Sequence, residues 1–129
     1  MSTLTLMYVA VGGAVGSMGR YAVQSMCTRF LTVDFPIATF TVNVLGGFLM
    51  GVWIASVTFL MPAKAKDLHL LFAVGLLGGF TTFSAFSVDV FLLFDRGLLL
   101  QAALYIVGSV FLSVLALFGG MWTVKLFLG

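Results

Sequence analysis

Gly78-Gly79-Phe80-Thr81-Thr82-Phe83-Ser84-Ala85-Phe86 lies at the centre of one continuous apolar run, residues 70–94. A run of this length is about what a helix needs to cross the hydrocarbon of a bilayer. Paired glycines weaken a helix, and hydroxyl side chains just beyond them can cap a fresh start. The reading is a membrane helix broken at mid-depth. Non-helical backbone survives there only where protein or a water-filled path surrounds it. One half-helix then ends in carbonyls, which suit a cation, and the other begins in N–H groups, which suit an anion. Ion handling is therefore expected at this stretch.

The rest of the chain agrees with a membrane setting. Of 129 residues, 62% are hydrophobic and 8% charged, and the mean hydropathy is +1.24. No soluble domain of this length buries so much apolar surface. Apolar runs occupy roughly residues 4–30, 36–60, 70–94 and 98–128, joined by short connections. The expected class is an all-α integral membrane protein, with residues 1–129 forming a single four-helix transmembrane domain. The first run lacks a basic segment ahead of it and is too long for a signal-peptide core, so it is expected to be retained.

Catalysis is not expected. His69 sits by a loop and reads as an interfacial anchor, and neither a nucleophile–base pair nor a metal cluster is visible. The single cysteine, Cys27, excludes an intrachain disulfide and reads as packing.

Four spans put both termini and the loop carrying Lys64 and Lys66 on one side, together with Lys125. The other side holds Arg29 and Arg96, plus Arg20 if it reaches the interface. So even a split gives the positive-inside rule little to act on. Either one orientation wins weakly, or the chain inserts both ways and forms an antiparallel homodimer. Gly12 and Gly16, Gly47 and Gly51, and Gly75 and Gly79 are spaced by four, which favours close helix packing. A compact four-helix bundle has little room for a pore, so a conducting path fits better between subunits.

Polar residues inside the runs mark the candidate path. The second helix is expected to start at Pro36 and sets Thr39 and Asn43 on one face. Asn43 either bonds a neighbouring helix or turns its N–H donors to a hydrated route. Gln101, Tyr105, Ser109 and Ser113 recur every four residues as a stripe along the fourth helix, which reads as a relay for a hydrogen-bond-accepting ion. Phe83 and Phe86 can turn their electropositive ring edges to one surface. Arg20 either snorkels to an interface or borders a wet cavity, where it would concentrate anions. Asp89 is expected to pair with Arg20, Arg96 or a polar neighbour.

Three segments then carry a resemblance: Gly12-Gly13-Ala14-Val15-Gly16 leading to Arg20-Tyr21, Thr39 to Asn43 followed by Gly46, and Gly78 to Phe86. Together with length and span number, they resemble the Fluc (CrcB-type) fluoride channels. The resemblance implies a dual-topology antiparallel homodimer in a bacterial cytoplasmic (inner) membrane. Its function would be passive export of fluoride, lowering cytoplasmic fluoride, through two pores at the dimer interface. It implies that backbone carbonyls of Gly78 and Thr81 from both subunits hold a structural sodium ion. Phe83 and Phe86 would line the pores, Asn43 would donate to fluoride, and Tyr105, Ser109 and Ser113 would form a polar track. Thr39 would join the fluoride path and Arg20 the vestibule. The implied partners are fluoride, lipid and a second copy, with no nucleic acid. Ala38 and Ala85 depart from the family pattern, the first in place of a glycine and the second in place of a hydroxyl. A small multidrug-type exporter would need a carboxylate in the first helix, which has none. A non-transporting assembly subunit would need no hydroxyl-rich break.

Overall fold

The computed structural model describes residues 2–60 and 65–129. Among them the regular structure is all helical, with no strand: α1 Thr3–Phe30, α2 Ile37–Leu60, α3 Ala65–His69, a π-helical segment Leu70–Leu77, α4 Gly78–Phe80, α5 Phe83–Asp95 and α6 Leu99–Leu128. Three stretches are long and apolar enough to cross a membrane: Ile37–Leu60, Lys66–Asp95 and Leu99–Leu128. At 28 residues α1 has the length. Its glycines, serines, Arg20 and Gln24 leave it less apolar than the others. Lys64, counted above with the terminal side, lies outside the described residues.

The ends follow local chemistry. The Ser2 hydroxyl accepts from the Thr5 N–H at 3.3 Å and caps α1. Pro36 stands immediately before α2 rather than in its first turn, and its carbonyl accepts from the Phe40 N–H. Gly97, at φ +72°, makes the left-handed turn between α5 and α6.

Two backbone-close seams organise the bundle. α1 lies along the π-helical segment and α4, while α2 lies along α6. In the first seam a methyl at Gly12 would strike the Leu71 carbonyl oxygen, and one at Gly16 the Leu76 carbonyl oxygen. In the second, Gly51 faces the Leu117 carbonyl and Gly120 the Phe48 carbonyl equally closely. Without a hydrophobic drive between helices in lipid, this small-residue contact supplies dispersion that larger side chains would block. Trp53 of α2 stacks on Phe72 of the π segment, ring centroids 4.6 Å apart, and ties the two seams together.

Few apolar residues are buried, chiefly Val42, Ala55, Ala73, Leu77, Leu93, Ala102 and Val124, with Phe86 and Tyr105. Large apolar side chains are instead exposed along the outer face of α6, among them Leu100, Leu104, Phe111, Phe118 and Trp122. An outward apolar face at three- and four-residue spacing belongs to a membrane protein.

Helical geometry is interrupted at Thr81 and Thr82. Thr81 is extended at φ −80°, ψ 158°, and Thr82 at φ −153°, ψ 125°. The interruption falls two residues beyond the paired glycines. Gly78 and Gly79 themselves remain helical. Gly79 lies against the backbone of Gly13, whose carbonyl oxygen would be 2.6 Å from an added Cβ. That docking holds the glycines in the helix.

Candidate functional site

The interruption is made by one side chain from another helix. Asn43, on α2, donates its Nδ2–H to the Thr82 carbonyl at 3.0 Å. The Thr82 N–H donates back to Asn43 Oδ1 at 2.8 Å. A flipped amide would set donor against donor, so the pairing fixes the orientation of the carboxamide. Thr82 Oγ1 then accepts from the Ala85 N–H at 3.2 Å and starts α5 as its N-cap. Thr81 folds back instead, its Oγ1 donating to the Leu77 carbonyl at 2.9 Å. Gly46 makes room for the Thr81 methyl, which a Cβ there would strike.

These bonds have a consequence for the carbonyls nearby. In a continuous helix the Gly78 oxygen would accept from Thr82 N–H and the Thr81 oxygen from Ala85 N–H. Both amides are engaged elsewhere. Gly78 and Thr81 are therefore left with carbonyls free of helical donors, at the end of one helical piece where the dipole is negative. At the start of the next piece, the N–H groups of Phe83 and Ser84 have no backbone acceptor among the described residues. The remaining Nδ2–H of Asn43 adds another donor.

Asn43, Gly78, Thr81, Thr82 and Phe83 border a cavity of about 500 Å³. Seven of the residues expected from the sequence surround it: Asn43, Gly78, Thr81, Phe83, Phe86, Ser109 and Ser113. Phe83 and Phe86 stand side by side, centroids 5.3 Å apart. Phe83 is 75% exposed. The hydroxyls of Ser109 and Ser113 are buried with no hydrogen-bond partner among the described residues. Unsatisfied buried hydroxyls beside a cavity are donors waiting for an acceptor.

Three expected residues lie elsewhere. Thr39 and Tyr105 are buried outside the cavity wall, Tyr105 packing against Phe86 at 5.1 Å between ring centroids. Arg20, half-buried on α1, does not border the cavity. Tyr105 also differs in role from its neighbours on the stripe. Its hydroxyl donates to Asp89 Oδ2 at 3.0 Å, so its one proton is committed. Asp89 thus pairs with a polar neighbour, and Arg96 pairs with Asp34.

Sequence reasoning missed Thr82 as the partner of Asn43 and Gly47 as part of the cavity floor. The signal for Thr82 was present, because a hydroxyl residue after a helix end is a cap. Nothing local paired it with Asn43. A methyl at Gly47 would meet the Ser113 carbonyl oxygen at 2.5 Å, so glycine there lets α6 bring its serines to the site.

Comparison with known proteins gives one answer. The family described as "CrcB-like protein, Camphor Resistance (CrcB)" matches residues 7–121. The chain belongs to that family. It is 43% identical over 122 residues to the fluoride-specific ion channel FluC 2 of Nitrobacter hamburgensis, covering 95% of this chain and 98% of that one. It is 48% identical over 113 residues to the fluoride-specific ion channel FluC of Rhizobium etli, covering 88% and 90%. The FluC of Erythrobacter litoralis is 45% identical over 136 residues, covering 98% and 99%. Membership makes this an integral membrane protein of transport type and not an enzyme.

Proposed function

We propose that this chain is a fluoride channel, exporting the ion passively and so lowering cytoplasmic fluoride. The observation that carries the reading is the Asn43–Thr82 pair. Together with the Thr82 cap it leaves the Gly78 and Thr81 carbonyls without helical donors, and it sets the Asn43 carboxamide in the cavity wall. Fluoride is small, strongly hydrated and only accepts hydrogen bonds. To enter a narrow path it must exchange water for comparable donors, held weakly enough to let go. Asn43 Nδ2–H and the Ser109 and Ser113 hydroxyls offer such bonds, and the ring edges of Phe83 and Phe86 offer weaker ones. Thr39 and Tyr105 belong to the continuation of the path towards the start of α2 and α6, and Arg20 to its vestibule.

The whole chain is one four-helix transmembrane domain, α1 included, with the third span broken at the membrane centre. Two copies pair antiparallel in a bacterial inner membrane, with two pores along their interface. The near-even placement of basic residues supports dual topology. So does the exposure of Phe83, which a single copy leaves uncovered.

The carbonyls of Gly78 and Thr81 fit a sodium ion. They are hard oxygen ligands, freed of helical donors and lying at a negative helix end. Two carbonyls are too few to replace a hydration shell, and two facing copies bring four. When bound, the ion would offset the repulsion between facing carbonyls. The chain's own part is to keep them unpaired through Asn43 and Thr82.

Purified protein in liposomes is expected to release fluoride far faster than chloride with no proton gradient. A strict need for that gradient would instead mean an exchanger. Phe83→Ile and Asn43→Asp should each cut fluoride release while the dimer stays assembled by cross-linking. Wild-type release in both would remove these residues from the path.

A further inference from the structure

The cavity ends at Phe86 and Ser109, yet the polar stripe on α6 continues to Tyr105 and Gln101. Between those two limits the way is shut by rings. Tyr105 has no exposed surface. Phe86 covers it at 5.1 Å from the cavity side, and Phe35 meets it edge-on at 5.4 Å and 87°. Phe40 in turn holds Phe35 at 5.8 Å. One turn of α6 beyond Tyr105, near the start of that helix, Gln101 is half-buried, and its side-chain oxygen is covered with no hydrogen-bond partner among the described residues. A buried carboxamide oxygen left bare costs free energy that a water molecule would relieve.

Phe86, Tyr105 and Phe40 are on helices. Phe35 alone is on a connection, residues 31–36, which has no regular structure. Its neighbour Asp34 pairs with Arg96, the residue that ends α5 just ahead of α6. That pair spans two connections at one end of the bundle and holds the strap over Tyr105. Both side chains are half or more exposed, at 65% and 50%. An ion pair so exposed is weak, so it can part without unfolding anything.

The geometry points to Phe35 as the residue that controls access to the end of the hydroxyl stripe nearest the connections, with Asp34 and Arg96 holding it shut. Lifting residues 31–36 exposes Tyr105 and lets water reach the covered oxygen of Gln101, extending the path beyond Ser109. This deepens the channel reading and rests on it for the identity of the ion, but water access can be measured without any ion.

In a Cys27→Ser background, Gln101→Cys is labelled by a water-soluble methanethiosulfonate reagent, which reacts where the thiolate is wetted. Adding Phe35→Ala is expected to speed labelling on the order of tenfold, as loss of a ring contact of this kind allows. Fluoride release from liposomes by Phe35→Ala alone should rise by a similar factor. Asp34→Asn and Arg96→Gln should each give up to about a fivefold rise, the scale of one exposed ion pair. The double exchange Asp34→Arg with Arg96→Asp should return both readouts to wild type. These charge variants touch no core packing and cover the case in which Phe35→Ala fails to fold. Unchanged labelling overturns the proposal, whatever happens to flux. Faster labelling with fluoride release unchanged from a conducting wild type overturns it too. Faster labelling in a protein that never passes fluoride keeps the strap and removes the fluoride reading alone.

Discussion

On one flank of residues 70–82, glycines of α1 let backbone meet backbone, with Gly12 against Leu71 and Gly16 against Leu76 and Phe80. On the other flank, Asn43, Thr82, Ser109 and Ser113 stand around a cavity of about 500 Å³. At Gly12 and Gly16 the first flank has no room for a methyl group. The second keeps buried hydroxyls without partners among the described residues. The difference shows how a small membrane protein can hold polar groups unsatisfied. Close packing on the back of an element fixes its backbone, so its front need not close up to satisfy itself. One side chain, Asn43, then suffices to set the interruption.

The severest test of that division is Gly16→Ala, whose new Cβ meets the Leu76 oxygen and the Phe80 nitrogen. Backbone cannot step aside cheaply, so a loss of about 3 kcal/mol is expected. It would read as early aggregation on heating in detergent. Gly13→Ala has only the Gly75 oxygen at 4.0 Å and should elute as wild type after the same treatment. Equal behaviour of the two variants would mean that the seam is not what fixes the third span.

On the cavity flank a smaller effect is expected. Thr82→Val keeps the shape but removes the acceptor for the Ala85 N–H, costing about 1 kcal/mol of cap. Thr82→Ser retains the acceptor and should restore the melting temperature. If Thr82→Val melts with wild type, the cap is not what starts α5.

Smallest of all is Gly119→Ala, on α6 with nothing within 4 Å of the added methyl. Here the sign reverses. Helix propensity should stabilise the variant by about 0.5–1 kcal/mol. A loss instead would reveal a neighbour absent from the single chain, such as a second copy against α6.

Much of this was legible in the sequence because it is periodic. The apolar runs marked three membrane-capable stretches and the length of α1. The four-residue spacing of Ser109 and Ser113 placed both beside one cavity. What periodicity could not give was contact across the chain. Paired glycines and the hydroxyls after them suggested a break within Gly78 to Phe86, and the docking of Gly79 on Gly13 leaves the glycines themselves helical. The interruption arises two residues later through Asn43, which is 39 positions away in sequence. Tyr105 belonged to the stripe by spacing, and only the placement of Asp89 shows its proton already taken. Asp34 gave no signal at all, since an acidic residue in a short connection is ordinary until its partner Arg96 is known.

The segment Leu70–Leu77 closes its hydrogen bonds one residue further along than an α-helix does, as Gly78 N–H to Ala73 oxygen illustrates. It therefore stores slack in the chain. Deleting one residue there can be absorbed by tightening, with everything from Gly78 onward keeping its bearing. The same deletion between Phe83 and Phe86 has no such reserve. It would swing the remainder of α5 by about 100° and carry Phe86 out of line with Asn43. Natural variation in length among homologous chains should accumulate before Gly78 and stop at Thr81.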